Sequence, residues 1–162
     1  MAINSKNKGN TYERKIANLL SGRFADYLGK SQGFFRNSTS GSYFGASNQK
    51  RLETHLEENA TFGDIICPSN FRFGAVECKH YKAPPSFTAL AKGEFKIFDT
   101  WLAQASQDAK NSGNEFLIIA KFNNVPDFII SEDRTDAFAL YKGYGLVLLT
   151  KWLERPDSYF FT

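Results

Sequence analysis

Asp64 and the triplet Glu77-Cys78-Lys79 are the residues whose types and spacing could do chemistry. Gly63 to Cys67 and Phe71 to His80 are β-rich runs separated by Pro68-Ser69-Asn70, the composition of a hairpin turn. Glu77 and Lys79, two apart on a strand, share a face, and a hairpin would set Asp64 across from them. Two carboxylates and an ammonium then meet at one point. Close carboxylates raise each other's pKa unless a cation lies between them, and a hard ion such as Mg²⁺ prefers oxygen ligands of this kind. Such an ion would polarise a phosphoryl oxygen and lower the pKa of a bound water, while the lysine orients or deprotonates that water. Phosphodiester hydrolysis has a candidate for each part.

A Glu, Lys pair on a strand also fits a solvated ion pair. Strand parity argues otherwise, because it puts Phe71, Phe73 and Ala75 on the face of Glu77 and Lys79, so the charges end a core-facing row. A zinc site of Cys67, Cys78, His55 and His80 is disfavoured, since no Cys pair has the short spacing of structural zinc sites and parity turns Cys78 and His80 away from Glu77. Reduced, partly buried cysteines fit better. Phe95, Phe98 and Trp101 could stack on bases, yet helical spacing suits a core.

The elements that must position these groups are legible in outline. Residues 1 to 9 read as a flexible basic arm, and Asn10 can cap a helix with Glu13 three positions on. Tyr12, Ile16, Leu19, Leu20 and Phe24 carry that helix to about Tyr27. Gly29 to Gly45 reads mostly as loop, with a short strand at Phe34 to Arg36. Asn48 to Asn59 suits a second, charged surface helix, and Phe98 to about Asn111 a third, closed by Ser112-Gly113. Phe116 to Phe122 has the nearly continuous apolar pattern of a strand buried on both faces. Phe128 to Ser131 and Gly145 to Thr150 are further strands, and the tail around Trp152 is short helix or coil. The order α, β-hairpin, α, β, β predicts an α/β fold, a mixed central β-sheet flanked by helices, in one domain over residues 1 to 162.

Composition sets outer limits. At 162 residues, 42% hydrophobic and 23% charged, the chain is neither disordered nor fibrous. The formal charge of +3 hides an asymmetry: Met1 to Arg51 holds nine Lys and Arg against Glu13 and Asp26, a net of +7, and the remainder is acidic. Lys6, Lys8, Arg14, Lys15, Lys30, Arg36, Lys50 and Arg51, interleaved with Ser and Gly, suit phosphate contacts. Two cysteines, no apolar leader and no apolar run near the roughly 20 residues of a membrane span point to a reduced cytoplasmic protein, or to a host cytoplasm if the gene is viral.

Asp64 followed by Glu77-x-Lys79 resembles the metal-binding signature of the PD-(D/E)xK nuclease superfamily, with Gly63 where the motif has proline. Lys8-Gly9-Asn10-Thr11-Tyr12-Glu13-Arg14 and the later Arg36-Asn37-Ser38-Thr39-Ser40-Gly41 are similar to motifs of archaeal-type Holliday junction resolvases. A glutamine on the helix after the third motif is matched by Gln104, ahead of Gln107. The resemblance implies a restriction-endonuclease-like core and a Mg²⁺-dependent DNA endonuclease, with Mn²⁺ able to substitute. Asp64, Glu77 and the Cys78 carbonyl would ligate the metal, Glu13 would reach it directly or through water, and Lys79 would position the attacking water. Arg36, Ser38 and Ser40 would touch the scissile strand beside Gly41, with Lys6, Lys8 and Arg14 on the backbone. Four-way junction DNA is the implied partner and a homodimer the implied assembly, since two symmetric cuts are needed. Residues 43 to 62 form an insertion longer than compact resolvases need.

Overall fold

The computed structural model describes residues 5 to 37 and 62 to 162. A five-stranded sheet divides two apolar layers. Its strands are β3 (Phe73–Tyr81), β4 (Glu115–Phe122), β5 (Phe128–Ser131), β6 (Ala139–Tyr141) and β7 (Tyr144–Leu148), in the order β3-β4-β5-β7-β6. β3 and β4 are parallel and every other pairing is antiparallel, so the sheet is mixed as expected. The crossover between the two parallel strands is made by α3 (Phe87–Lys92) and α4 (Lys96–Ser112).

Alternation along β4 sorts the layers. Leu117 and Ile119 turn to the face covered by α1 (Ser5–Arg23), while Phe116, Ile118, Ala120 and Phe122 turn to the face covered by α4. α1 buries Tyr12, Ile16, Ala17 and Leu20, with Phe24 buried just beyond its end, and leaves Leu19, expected on its apolar stripe, 38% exposed. The chain re-forms as α2 (Ala25–Leu28), which ends on Gly29 in the left-handed region at φ 62°. Phe98, Trp101, Leu102 and Ala105 fill the inner face of α4, which Gly113 closes at φ 72°. After β7 the chain turns through α5 (Leu149–Leu153) and α6 (Asp157–Phe160), and Trp152, Phe160 and Phe161 join Phe24, Phe34, Phe71 and Phe73 in one aromatic cluster.

Several expectations are corrected. Residues 5 to 9 are not an arm: α1 already starts at Ser5, Thr11 Oγ1 donates to the Asn7 carbonyl at 2.8 Å, and Lys8 Nζ donates to Asn123 at 3.1 Å. Asn10 is therefore inside the helix, and its side chain accepts from Arg36 instead of capping. The expected hairpin is not a ladder either. β2 (Ile65–Ile66) pairs antiparallel with β1 (Phe35–Arg36), and its approach to β3 is the single bridge from Gly63 to Val76. Strand parity also breaks, because a register shift lies between Phe73 and Ala75. Phe71 and Phe73 consequently face α1, and only Ala75 precedes Glu77 and Lys79 on the α4 face. Leu149 and Thr150 belong to α5, not to the last strand. The charged helix at 48 to 59 and most of the 43 to 62 insertion lie outside the described residues.

Candidate active site

Asp64 reaches β3 although no hairpin delivers it. Gly63 sits at φ 77°, and a Cβ there would lie 2.5 Å from the Val76 carbonyl oxygen, so only glycine permits this approach. Proline, the residue that the nuclease motif carries at this point, is locked near φ −65° and would not fit. The Asp64 amide then donates to Val76 at 2.7 Å, and the Cys78 amide donates to Asp64 Oδ2 at 2.9 Å. From the other side, Asn37 donates through its amide to Asp64 O at 2.8 Å and through Nδ2 to Gly63 O at 3.0 Å. Asn37 is 3% exposed. Ser21 in turn secures the chain leading to it, donating to Phe34 O and accepting from the Gly33 and Phe34 amides.

Glu77 is 1% exposed and faces α4. Lys79 Nζ donates to Glu77 Oε2 at 2.6 Å and to Gln104 Oε1 at 3.2 Å, while Gln104 Nε2 donates to Glu77 Oε2 at 3.1 Å. The three side chains form a closed triangle. Burial, and after it the charge of Asp64, lift the Glu77 carboxyl to about 7 despite the opposing pull of Lys79. Lys79 moves the other way from what burial alone would give: burial lowers its pKa, but Glu77 and Asp64 raise it further, so the net shift is upward. Its amine stays an ammonium, able to orient a water but not to take its proton. Gln107, the lesser candidate, donates to Asn111 and takes no part in the triangle.

Glu13 lies on the α1 side with 12% of its side chain exposed, and its Oε2 accepts from Arg36 Nε at 2.5 Å. Arg36 Nη2 donates to Asn10 at 2.7 Å. Glu13, Asp64 and Glu77 all act on Cys78, whose thiol is pushed well up, first by burial and then by these three charges. Cys67 is likewise raised by burial, and both cysteines are free. Arg14 and Arg36 line one shallow cavity of about 260 Å³ with Asn18 and Gln32. Lys8 lines another of about 310 Å³ with Tyr12, Lys15, His80 and Lys121, on the side of the sheet away from Lys79. Lys6 is in the first turn of α1, and Ser38, Ser40, Gly41 and His55 lie outside the described residues.

Asp108, one turn beyond Gln104 on α4, was not foreseen. Burial, followed at some distance by Asp64, raises its carboxyl, while a hydrogen bond with Glu77 and the charge of Lys79 act against that rise. Its spacing of four from Gln104 was the available signal. Asn37 gave none beyond its place beside Arg36. Among the described residues no three His, Cys, Asp or Glu side chains are close enough to hold an ion by themselves. The buried, mutually repelling Asp64 and Glu77 still suit a hard divalent cation, provided carbonyl and water oxygens complete the shell. No described helix is long and apolar enough to cross a membrane.

A protein-family model described as "Phage putative PDDEXK endonuclease" matches residues 4–145. No curated protein and no solved structure matches. The match spans α1, both parts of the buried carboxylate group and the described strands β1 to β6, and ends inside β7. The mixed sheet flanked by helices agrees with that assignment, and the chain belongs to this family of phage PD-(D/E)xK endonucleases.

Proposed function

We propose that the protein is a Mg²⁺-dependent DNA endonuclease that resolves four-way junctions, with Mn²⁺ able to replace Mg²⁺. The observation that carries the chemistry is the pair of buried carboxylates, Asp64 and Glu77, where burial and then the charge of Asp64 lift Glu77 to about 7 although the Lys79 ammonium donates to it at 2.6 Å. A divalent ion bound there would supply charge to the phosphoryl oxygen and a water of lowered pKa. Asp64, Glu77 and the Cys78 carbonyl hold it in this proposal, with Glu13 reaching it from α1. Lys79 orients the water through its protonated amine. Gln104 holds Lys79 and Glu77 at a fixed separation, and Asp108 adds negative charge behind them.

Arg14 and Arg36 share a cavity wall, which suits contact with the backbone of the cut strand. Lys6, Lys8, Ser38, Ser40 and Gly41 extend that contact in the proposal. The junction preference rests on the resemblance of residues 8 to 14 and 36 to 41 to resolvase motifs, and on it rests a homodimer making paired cuts; action in the host cytoplasm is supported by membership of a phage family. The test compares cleavage of a four-way junction and a linear duplex, with Mg²⁺ and with chelator, for wild type and Asp64→Asn. Metal-dependent cutting of the junction, lost in Asp64→Asn, is expected. Equal rates on both DNAs would leave a duplex-cutting repair or restriction-type nuclease, and binding without cutting would leave a DNA-binding protein on the same fold.

A further inference from the structure

β3 does not end at Lys79. Glu77, Lys79 and Tyr81 alternate onto the α4 side, and α4 runs back along them, so Asp108 and Gln104 meet Glu77, Gln104 meets Lys79, and Trp101 meets Tyr81. Tyr81 differs from the other members of this row in being 44% exposed. Its ring meets Trp101 edge-to-face, with centroids 5.2 Å apart and planes at 65°, which braces it without laying another ring flat over it. Trp101 is itself fixed: it is 2% exposed and stacks on Phe122 at 5.9 Å and 23°. A half-exposed aromatic on a rigid mount stands two residues, or about 6.6 Å of strand, from the lysine of the candidate active site. Lys82, the next residue, is exposed.

We propose that Tyr81 is a stacking platform for a nucleobase of the strand that is cut. This rests on the nuclease reading above and adds a substrate contact to it. A phosphate beside Lys79 has its own or its neighbour's base within the reach of two strand residues. An aromatic face accepts any base, so the contact fixes the position of the strand without reading its sequence. Tyrosine suits a wet platform, because its hydroxyl stays solvated while the ring is covered.

The experiment uses the full chain carrying Asp64→Asn, to read binding without cutting, and DNA in which iododeoxyuridine replaces thymidine. Tyr81→Phe should bind as the parent does, and Tyr81→Leu and Tyr81→Ala about 5- to 100-fold more weakly. Irradiation of the complex with Tyr81 intact should crosslink the DNA to the Tyr81 peptide. Leucine covers Trp101 without offering a π face, so parental affinity in Tyr81→Leu would reduce Tyr81 to a cover for the core and overturn the proposal. A crosslink confined to other residues would overturn it too, and that readout needs no Tyr81 variant to fold. Continued cutting by Asp64→Asn would instead refute the placement of the metal site, with the crosslink still deciding on Tyr81. Absence of DNA binding by wild type and Asp64→Asn alike would overturn both.

Discussion

Two carboxylates, the buried Glu77 and the half-buried Asp133, sit beside cations in this molecule, and their environments push them in opposite directions. Asp133, after β5, accepts from Arg155 Nη1 at 2.8 Å, from the Tyr159 hydroxyl at 2.8 Å and from the Thr135 amide at 2.8 Å. Burial would raise its pKa, but the Thr135 and Tyr159 hydrogen bonds and the Arg155 charge overcome that and hold it down at about 2. Glu77 has a lysine and a glutamine, yet burial and Asp64 lift it to about 7. Asp133 is a satisfied ion, and it fastens α5 and α6 to the sheet. Glu77 is an ion that burial and Asp64 disfavour in spite of the hydrogen bonds it accepts from Lys79 and Gln104. A fold keeps charge in such a place at a cost in stability, and the cost is intelligible where a further cation completes the group.

The sharpest way to break the comparison is to remove each charge and read activity and stability together. Glu77→Gln and Asp64→Asn should lower metal-dependent cleavage by more than about 10²-fold, the upper range for mutating a residue that only supports a metal ligand. In chelator, Glu77→Gln should cost no stability by thermal melting, since it removes a disfavoured charge and retains an acceptor for Lys79. A melting temperature that fell with Glu77→Gln would make the triangle a structural ion pair. Gly63→Ala should damage both properties. Its positive φ and the close Val76 backbone cost about 1–3 kcal/mol, and relief of that strain displaces Asp64 from the Cys78 amide. Asp133→Asn should do the reverse of Glu77→Gln: about 1–3 kcal/mol of stability lost by denaturant titration, with cleavage by the folded protein unchanged.

That comparison also separates what the sequence could reveal from what it could not. β4 was legible because each of its faces is covered, so apolar residues run from Phe116 to Phe122 with Lys121 as the one interruption. Glu77, Lys79 and Gln104 were legible as a motif, and the structure joins them through Oε2 of Glu77. The route by which Asp64 arrives was not. Two short runs around Pro68 look like a hairpin, whereas the partner of Ile65–Ile66 is Phe35–Arg36, some thirty residues earlier in the chain. Local composition cannot specify a pairing made at that distance. The same limit hid the shift between Phe73 and Ala75, where Gly74 lets Asn114 pack so close that a Cβ would fall 2.5 Å from its side-chain nitrogen. Asp133 drew no attention for a related reason, because its partners Arg155 and Tyr159 come together only when the tail folds back over β5.

The smallest expected effect is the most discriminating, because it depends on sign. Asp133 has a folded pKa of about 2, below the usual carboxylate value, so its contribution is complete above about pH 4 and is lost as the pH falls toward 2. Most of its side chain is covered but solvent still screens the pair, so about 1–2 kcal/mol is at stake. Glu77 has a folded pKa raised from 4.5 to about 7. Between those values the folded protein holds a proton that the unfolded chain releases, so in chelator stability should fall as the pH rises from about 4.5 to 7. Denaturant titrations of wild type, Glu77→Gln and Asp133→Asn across pH 2 to 8 separate the two slopes. Glu77→Gln should flatten the upper window alone and Asp133→Asn the lower one alone. Adding Mg²⁺ should also abolish the upper slope, because a bound divalent ion favours the ionised carboxylate and returns Glu77 toward ordinary acidity. An upper slope that survives Glu77→Gln would assign it to another group and remove the electrostatic case for a cation between Asp64 and Glu77.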